Sequence, residues 1–302
     1  MPNKDNNNNE AAIKHLQRIL MQKPKDTNVL FELAMVFYLN HNYEKAKELF
    51  LKILAIDPNA IGAHFNIANL YRVEDNVPQA KYHYLKVVEK EQEENAFFYL
   101  GFLSEKENDF EAAKQYYLKA LAIDPKHEDA CDELAKVFLQ EGNILKAKEY
   151  FLKSLEIEPN SGETYTNLGG IFIKERNYSK AKEYYLKAIE LLPDLATAHC
   201  NLGVVYEKEK DISNSLHHFL IAVQLNPDYV VAHTNLGALL ADVGDYVTAR
   251  EHLKKALILD PNFKPALLNL HRLPKEKIPN DKPNKTTLFS YIKNMLKKHN
   301  NK

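Results

Sequence analysis

The stretch TNLGGIF at residues 166–172, followed by AKEYYLKAIELLP at residues 181–193, decides the fold. Its apolar and small residues recur at intervals of three and four, which is the spacing of one face of an α-helix. Gly169 lets a partner helix approach closely, and Asn177, between the two stretches, is a typical helix N-cap. Pro193 stops the second helix, because proline cannot continue one. The stretch therefore predicts a pair of packed helices.

The same pattern recurs along most of the chain with a step of 34 residues, except that Pro58 to Pro125 covers two units in 67. The prolines that end it are Pro24, Pro58, Pro125, Pro159, Pro193, Pro227 and Pro261, and Gln92 stands where one further proline would fall. Seven repeats result, at 27–60, 61–93, 94–127, 128–161, 162–195, 196–229 and 230–263. We number positions within each repeat from its first residue. Position 8 is always Gly or Ala and position 16 always Asn or Asp, so the period indicates stacked helical repeats.

With TNLGGIF at 166–172, AKEYYLKAIELLP at 181–193 and HTNLGALL at 233–240, the chain resembles the tetratricopeptide repeat (TPR) family over most of its length. The resemblance implies an all-α fold, a right-handed α-solenoid of seven helix-turn-helix units with half-repeat caps at both ends. The chain departs from the family at position 4, where Trp is replaced by Leu30, His64, Phe97, Cys131, Tyr165, His199 and His233. Ser215 and Leu253 stand where the family usually has Ala and an aromatic residue, and we expect looser packing there.

The segments that flank the repeats have their own patterns. Residues 1–9 are predicted to be disordered, and residues 10–22 match a second helix that lacks its first. Residues 264–273 match a first helix that lacks its second. In this segment His271 and Arg272 suggest the polar outer face that the end of a repeat stack requires.

The C-terminal segment is distinctly basic. Residues 274–285 hold three prolines and predict a flexible linker, and residues 286–302 predict a basic amphipathic tail, with an apolar helix stripe within 286–299. Residues 274–302 contain eight lysines and two acidic residues. Such a tail can dock on an anionic membrane, on a partner or on the chain's own groove, or it can remain a free, solubilising end.

A row of asparagines is the first candidate binding site. By the resemblance, position 6 faces the groove of the stack, and it is Asn in repeat 61–93 and in the four consecutive C-terminal units. These residues are Asn66, Asn167, Asn201, Asn235 and Asn269. A carboxamide donates and accepts hydrogen bonds, so it can pair with a peptide backbone whatever the peptide sequence. The row is similar to the asparagine-lined groove of the TPR domains of O-GlcNAc transferases. The alternative is that the amides bond between helices within the stack.

A stripe of aromatic residues at position 5 is the second candidate site. Phe31, Phe65 and Phe98 hold this position in three consecutive repeats. Partly exposed rings can dock an apolar side chain or an amphipathic helix of a partner. The alternative is that each ring packs within the stack.

Other functional classes find no support in the sequence. The 302 residues have a net charge of -1, which is not typical of a nucleic-acid-binding protein. No apolar run is long enough for a membrane span, and two cysteines are too few for a disulfide framework, so we expect a cytoplasmic protein. No catalytic or phosphate-binding motif is present. Equivalent histidines of neighbouring repeats are too far apart to share a metal ion, so we expect neither metal nor cofactor.

The sequence thus predicts a non-enzymatic interaction scaffold, or adaptor, that binds an extended peptide or a partner helix in its groove. The alternative is a regulatory or substrate-recruiting subunit of a multi-part enzyme, such as a peptide glycosyltransferase whose catalytic chain is separate. Fold-level analogy cannot name the partner.

Overall fold

The computed structural model describes residues 4–274, and this part of the chain is built from α-helices without strands. The helices are α1 Lys4–Gln22, α2 Thr27–Leu39, α3 Tyr43–Ile56, α4 Ile61–Val73, α5 Val77–Val88, α6 Glu94–Lys106, α7 Phe110–Ile123, α8 Glu128–Gln140, α9 Ile144–Ile157, α10 Gly162–Lys174, α11 Tyr178–Leu191, α12 Ala196–Lys208, α13 Ile212–Leu225, α14 Val230–Asp242, α15 Tyr246–Leu259 and α16 Lys264–Arg272. From α2 onwards, even-numbered helices are the first helices of repeats and odd-numbered helices the second.

Each first helix packs against the second helix of its own repeat, and each second helix packs against the next first helix within the same compact body. The chain divides into two such bodies, Met1–Ile157 and Glu158–Lys302, which we call the N-terminal and C-terminal bodies. The all-α helical-repeat solenoid class that the sequence predicts is confirmed.

The turn between the two helices of a repeat is fixed by two residues. The side chain at position 16 accepts a hydrogen bond from the backbone amide three residues on in all seven repeats, which confirms the predicted N-caps. Position 15 has a left-handed backbone in every repeat, with φ between 57° and 86°. Only Gly142 and Gly244 are glycine there. The other five repeats have a residue with a Cβ atom at this position, for which the left-handed conformation is sterically unfavourable.

Close approach at position 8 joins the helices. A Cβ atom added to Gly169 would lie 2.5 Å from the Tyr185 ring, and one added to Gly203 would lie 2.7 Å from the Phe219 ring. The expectation of looser packing at Ser215 is wrong, because its side chain is fully buried and its hydroxyl donates to the Gly203 carbonyl at 2.9 Å. The same expectation is wrong for Leu253, because this side chain is also fully buried.

Ion pairs join neighbouring repeats. The lysine at position 21 contacts the glutamate at position 14 of the following repeat. The pairs are Lys47–Glu74 at 2.7 Å, Lys81–Glu107 at 2.5 Å, Lys114–Glu141 at 2.5 Å and Lys182–Glu209 at 2.7 Å. The lysine side chains are only 18–30% exposed, so they bind the next repeat and do not form a plain solvated face.

Two predictions for the ends of the chain need correction. Helix α1 begins at Lys4, so residues 4–9 are helical and not disordered, and Asn9 anchors this turn by donating to the Asn40 side chain at 2.6 Å. The outer face of α16 is only partly polar: His271 and Arg272 are exposed as predicted, but Leu267 is 45% exposed and Leu268 is 59% exposed. The linker prediction for 274–285 falls almost wholly outside the described residues, and the basic tail at 286–302 lies entirely outside them. Within residues 4–274, no helix combines the length and apolar composition that crossing a bilayer needs.

Candidate peptide-binding surface

The first helices of the C-terminal body form one continuous layer. Helix α10 contacts α12, α12 contacts α14, and α14 contacts α16. Position 6 is the sixth residue of each of these helices, so its side chains occupy equivalent places along the layer. We call Asn167, Asn201, Asn235 and Asn269 the asparagine row.

The carboxamides of the row retain most of their hydrogen-bonding capacity. All four side chains are partly buried. Within the described residues, the side chains of Asn167, Asn201 and Asn269 make no hydrogen bond, and the Asn235 Nδ2 atom makes only a 3.6 Å contact with the Cys200 Sγ atom. The alternative use of these amides, bonding between helices, is therefore realised at most once in the row. Each free carboxamide offers two donors and an acceptor oxygen to a ligand.

Small side chains surround the row. Thr166 and Thr234 are buried, and each hydroxyl donates to a backbone carbonyl four residues earlier. Gly170, Val204 and Ala238, at position 9, are partly exposed and leave room above the helices. The layer thus presents amides between small or apolar side chains.

Cys200, the residue before Asn201 on α12, is closed off from the surface of the layer. Its side chain is fully buried beneath Asn235 and Tyr229. Burial raises the pKa of the thiol to about 11, so it is protonated at neutral pH. A protonated thiol is a poor nucleophile, and Cys200 therefore acts as a small packing residue.

The aromatic stripe of the N-terminal body is used partly for packing. Phe31, Phe65 and Phe98 are each partly exposed. Each ring lies 5.5–5.8 Å from the ring at position 24 of its own repeat. The partners are Phe50, Tyr84 and Tyr117. The packing alternative therefore holds for all three rings, and each also keeps an exposed surface.

An apolar cavity lies at one end of this stripe. It has a volume of about 470 Å³ between α1 and α2, and its walls include Leu16, Phe31 and Met35, with Glu32 and His15 also lining it.

Asn66 belongs to the same body and stands apart from the asparagine row in its bonding. Its Nδ2 atom donates to the Gly62 carbonyl at 2.8 Å, so part of its capacity is used within α4.

Buried histidine pairs are the polar feature that sequence reasoning missed. In three repeats, position 4 and position 23 are both His, and their Nδ1 atoms lie 2.8–3.0 Å apart. The pairs are His64–His83, His199–His218 and His233–His252. The constant spacing of 19 residues is the signal that would have revealed them.

Each pair has a defined proton arrangement. The Nε2 atom of the position-4 histidine donates to a proline carbonyl, for example His199 to Pro193 at 3.0 Å. In a neutral pair its Nδ1 atom must then accept, so the Nδ1 atom of the partner donates. Burial, together with the neighbouring histidines, lowers the pKa of His218 to about 3, and burial with the nearby His233 lowers that of His252 to about 4. His218 and His252 are therefore uncharged near neutral pH, and the Nδ1 contacts of the pairs join the two helices of a repeat.

Within the described residues, no group of three or more His, Cys, Asp or Glu side chains is arranged to hold a metal ion. What this part of the molecule offers is a layer of helices with unused amides and small neighbours. Such a surface suits recognition of a polypeptide.

The helix pairs, their caps and their small–large contacts define a helical-repeat protein. Family models described as tetratricopeptide repeat match residues 5–64 and 105–168 and residues 230–263, and one described as TPR repeat matches residues 169–210. Together these matches cover more than half of the chain, which therefore belongs to the tetratricopeptide repeat family. Proteins of this family in general mediate protein–protein interactions as non-catalytic scaffolds. No curated protein gives a significant sequence match.

Solved structures show the same fold. In the crystal structure of the APC/C hetero-tetramer Cut9–Hcn1, the similar chain superposes with a TM-score of 0.67 at 18% identity, over 87% of this chain and 52% of that one. This chain thus spans about half the length of that relative. The C-terminal part of a TPR repeat-containing protein from Cytophaga hutchinsonii gives a TM-score of 0.58 at 21% identity, over 80% of this chain and 99% of that one. At these identities the likeness concerns the fold alone.

Proposed function

We propose that this protein is a non-enzymatic interaction scaffold that binds an extended peptide segment of a partner along the asparagine row. The main observation behind the proposal is that most side-chain amides of the row have no hydrogen-bond partner within the described residues. The side-chain amides of Asn167, Asn201 and Asn269 make no hydrogen bond to the described residues, although each is partly buried and all lie on one layer of helices. These partly exposed amides are open to hydrogen bonds from outside the stack, so the backbone of a bound peptide can pair with them.

The chemistry favours recognition of the peptide backbone. Each carboxamide can donate to a peptide carbonyl and accept from a peptide amide. The small neighbours Gly170, Val204 and Ala238 leave space for varied peptide side chains, and they provide no charge to select among them. We therefore expect broad sequence tolerance with a preference for uncharged segments. The resemblance of the row to the groove of O-GlcNAc transferase TPR domains supports this mode of binding by analogy.

The expected affinity is moderate. A hydrogen bond contributes about 0.5–1.5 kcal/mol net, and four asparagines can make about two bonds each. Ordering the peptide offsets much of this gain, so we expect a Kd in the micromolar range, equivalent to about −8 kcal/mol.

The aromatic stripe of the N-terminal body offers a separate contact surface for an apolar part of a partner. The cavity beside Phe31 and Met35 is large enough for an apolar side chain, and the exposed surfaces of Phe65 and Phe98 continue the stripe along the same body. An apolar anchor would raise affinity without requiring a particular backbone register. The proposal of peptide binding along the asparagine row does not depend on these aromatic residues.

The test is the double variant Asn201→Ala/Asn235→Ala in the full chain. Peptides that bind the unmodified protein are first selected from a random library and then titrated by calorimetry. We expect binding to weaken at least tenfold, because up to four hydrogen bonds of about 1 kcal/mol each are lost.

The matched control is Asn262→Ala. Asn262 is an exposed asparagine of the same body that lies outside the row, and its replacement should leave affinity unchanged. Unchanged affinity of the double variant, with circular dichroism showing an intact fold, would contradict the proposal. So would catalytic turnover by the purified chain, because the proposal requires a non-enzymatic scaffold.

A further inference from the structure

The last first helix, α16, exposes a residue that is covered in other repeats. Leu267 stands at position 4 of the incomplete eighth repeat and is 45% exposed. At the same position, Leu30, Phe97 and His199 are 4–9% exposed. What covers position 4 in those repeats is the second helix, as the His199–His218 contact shows. Within the described residues α16 has no second helix, and the adjacent Leu268 is 59% exposed.

The opposite side of α16 is firmly packed. Ala266 is fully buried and Leu273 is 6% exposed, and both belong to the apolar core formed with α14 and α15. The chain immediately after the helix is also held, because an Nη2 atom of Arg250 on α15 donates to the Pro274 carbonyl at 2.7 Å. Helix α16 is thus an ordered surface, and residues 275–302 start directly beside it.

We propose that residues 286–299 cover the exposed face of α16 as an apolar helix. Leu288, Ile292 and Met295 are spaced four and three residues apart, which places them on one side of a helix. Residues 275–285 can span up to about 3.4 Å each, far more than the length of the nine-residue α16 at about 1.5 Å per residue. The segment therefore reaches the face without strain.

Charge determines how the segment docks. Lys264 and Arg272 give α16 the same sign of charge as the tail, so docking relies on the apolar stripe and the tail lysines point to solvent. His271 occupies position 8, where the repeats have only Gly or Ala. A second helix therefore cannot cross there as closely as in a complete repeat, and the segment packs nearer to Leu267 and Leu268.

Photo-crosslinking in the full chain tests the proposal. A benzoylphenylalanine replaces Leu268, and the products of irradiation at low protein concentration are mapped by mass spectrometry. We expect an intramolecular crosslink into residues 286–299. The same probe at Leu145, which is 80% exposed on α9, should not react with this segment.

A second set of variants keeps the test decisive. Ile292→Asp with Met295→Asp should reduce the crosslink yield at least tenfold, whereas Ser290→Asp, on the opposite side of such a helix, should not. Raising sodium chloride from 0.1 M to 1 M should not lower the yield, because apolar contacts hold the segment and salt screens the repulsion between the tail and α16. Two outcomes overturn the proposal: the absence of the intramolecular crosslink, and crosslinked dimers whose yield rises with protein concentration.

Discussion

At the scale of single residues, Gly169 and Gly170 are neighbours on α10 that differ in the space beside them. A methyl group at 169 would meet the Tyr185 ring at 2.5 Å, and this ring cannot move aside easily because Tyr185 is only 1% exposed. A methyl group at 170 would lie 3.8 Å from the Tyr185 hydroxyl, an ordinary contact. An alanine side chain therefore clashes at residue 169 and fits at residue 170.

We predict that Gly169→Ala lowers the free energy of unfolding by about 1–3 kcal/mol through overpacking. Gly170→Ala should raise it by about 0.5–1 kcal/mol, because alanine favours the helix over glycine. Urea titration followed by circular dichroism measures both. A loss of similar size in the two variants would mean that the close approach at position 8 is not what limits the helix spacing.

At the scale of the helix pair, the buried histidines make stability depend on pH. Protonated imidazoles are disfavoured in the folded state, where the pKa of His218 is about 3 and those of His83 and His252 are about 4, each below the usual 6.5. The unfolded chain then binds more protons below pH 6.5, so acid favours unfolding. The contribution of His83, His218 and His252 to stability is fully present above pH 6.5. It is lost as pH falls towards 4 and, for His218, towards 3.

We predict that His199→Tyr/His218→Tyr flattens this dependence. Tyrosines already occupy the same two positions in repeat 162–195, where Tyr165 and Tyr184 pack with ring centroids 5.7 Å apart. Between pH 7 and pH 4, the variant should lose about 1–3 kcal/mol less unfolding free energy than the unmodified protein. Equal losses in the two proteins, measured by urea titration at each pH, would show that other groups control acid unfolding.

The sequence predicts the helix pair well because its determinants are local. The N-caps such as Asn177 act within three residues, and the small–large pairing of Gly169 with Tyr185 recurs with every period. The left-handed turn at position 15 could not be predicted, since Arg176 and Lys210 carry no signal for it. The histidine pairs and the lysine–glutamate pairs join different helices, so they depend on how those helices pack.

At the scale of the whole molecule, the same limit applies to the candidate site. Periodicity places Asn201 and Asn235 at equivalent positions, but it cannot show whether their amides are used within the stack. That distinction depends on the contact of Asn235 with Cys200 and on the absence of such a contact at Asn201 within the described residues. The exposed leucines of α16 were missed for a similar reason, because the nearby His271 and Arg272 suggested a polar face.

The repeat architecture also predicts how the molecule opens. Each repeat is stabilised mainly by its neighbours, so helices near an end have fewer stabilising contacts. We predict that amide hydrogens of α1 and α16 exchange with solvent faster than those of α4–α7 or α12–α15, as measured by mass spectrometry. A single exchange rate across all of these helices would contradict this and would indicate one cooperative unit.

The matched residues at positions 4 and 23 have a consequence for how such a chain can change. His199 faces His218, Tyr165 faces Tyr184 and Phe97 faces Tyr116, so the partners vary together from one repeat to the next. Replacing one histidine of a pair alone would leave the other imidazole without its hydrogen-bond partner. Duplication of a complete repeat keeps both partners. Lengthening the protein by duplication therefore destabilises it less than single substitutions at these two positions.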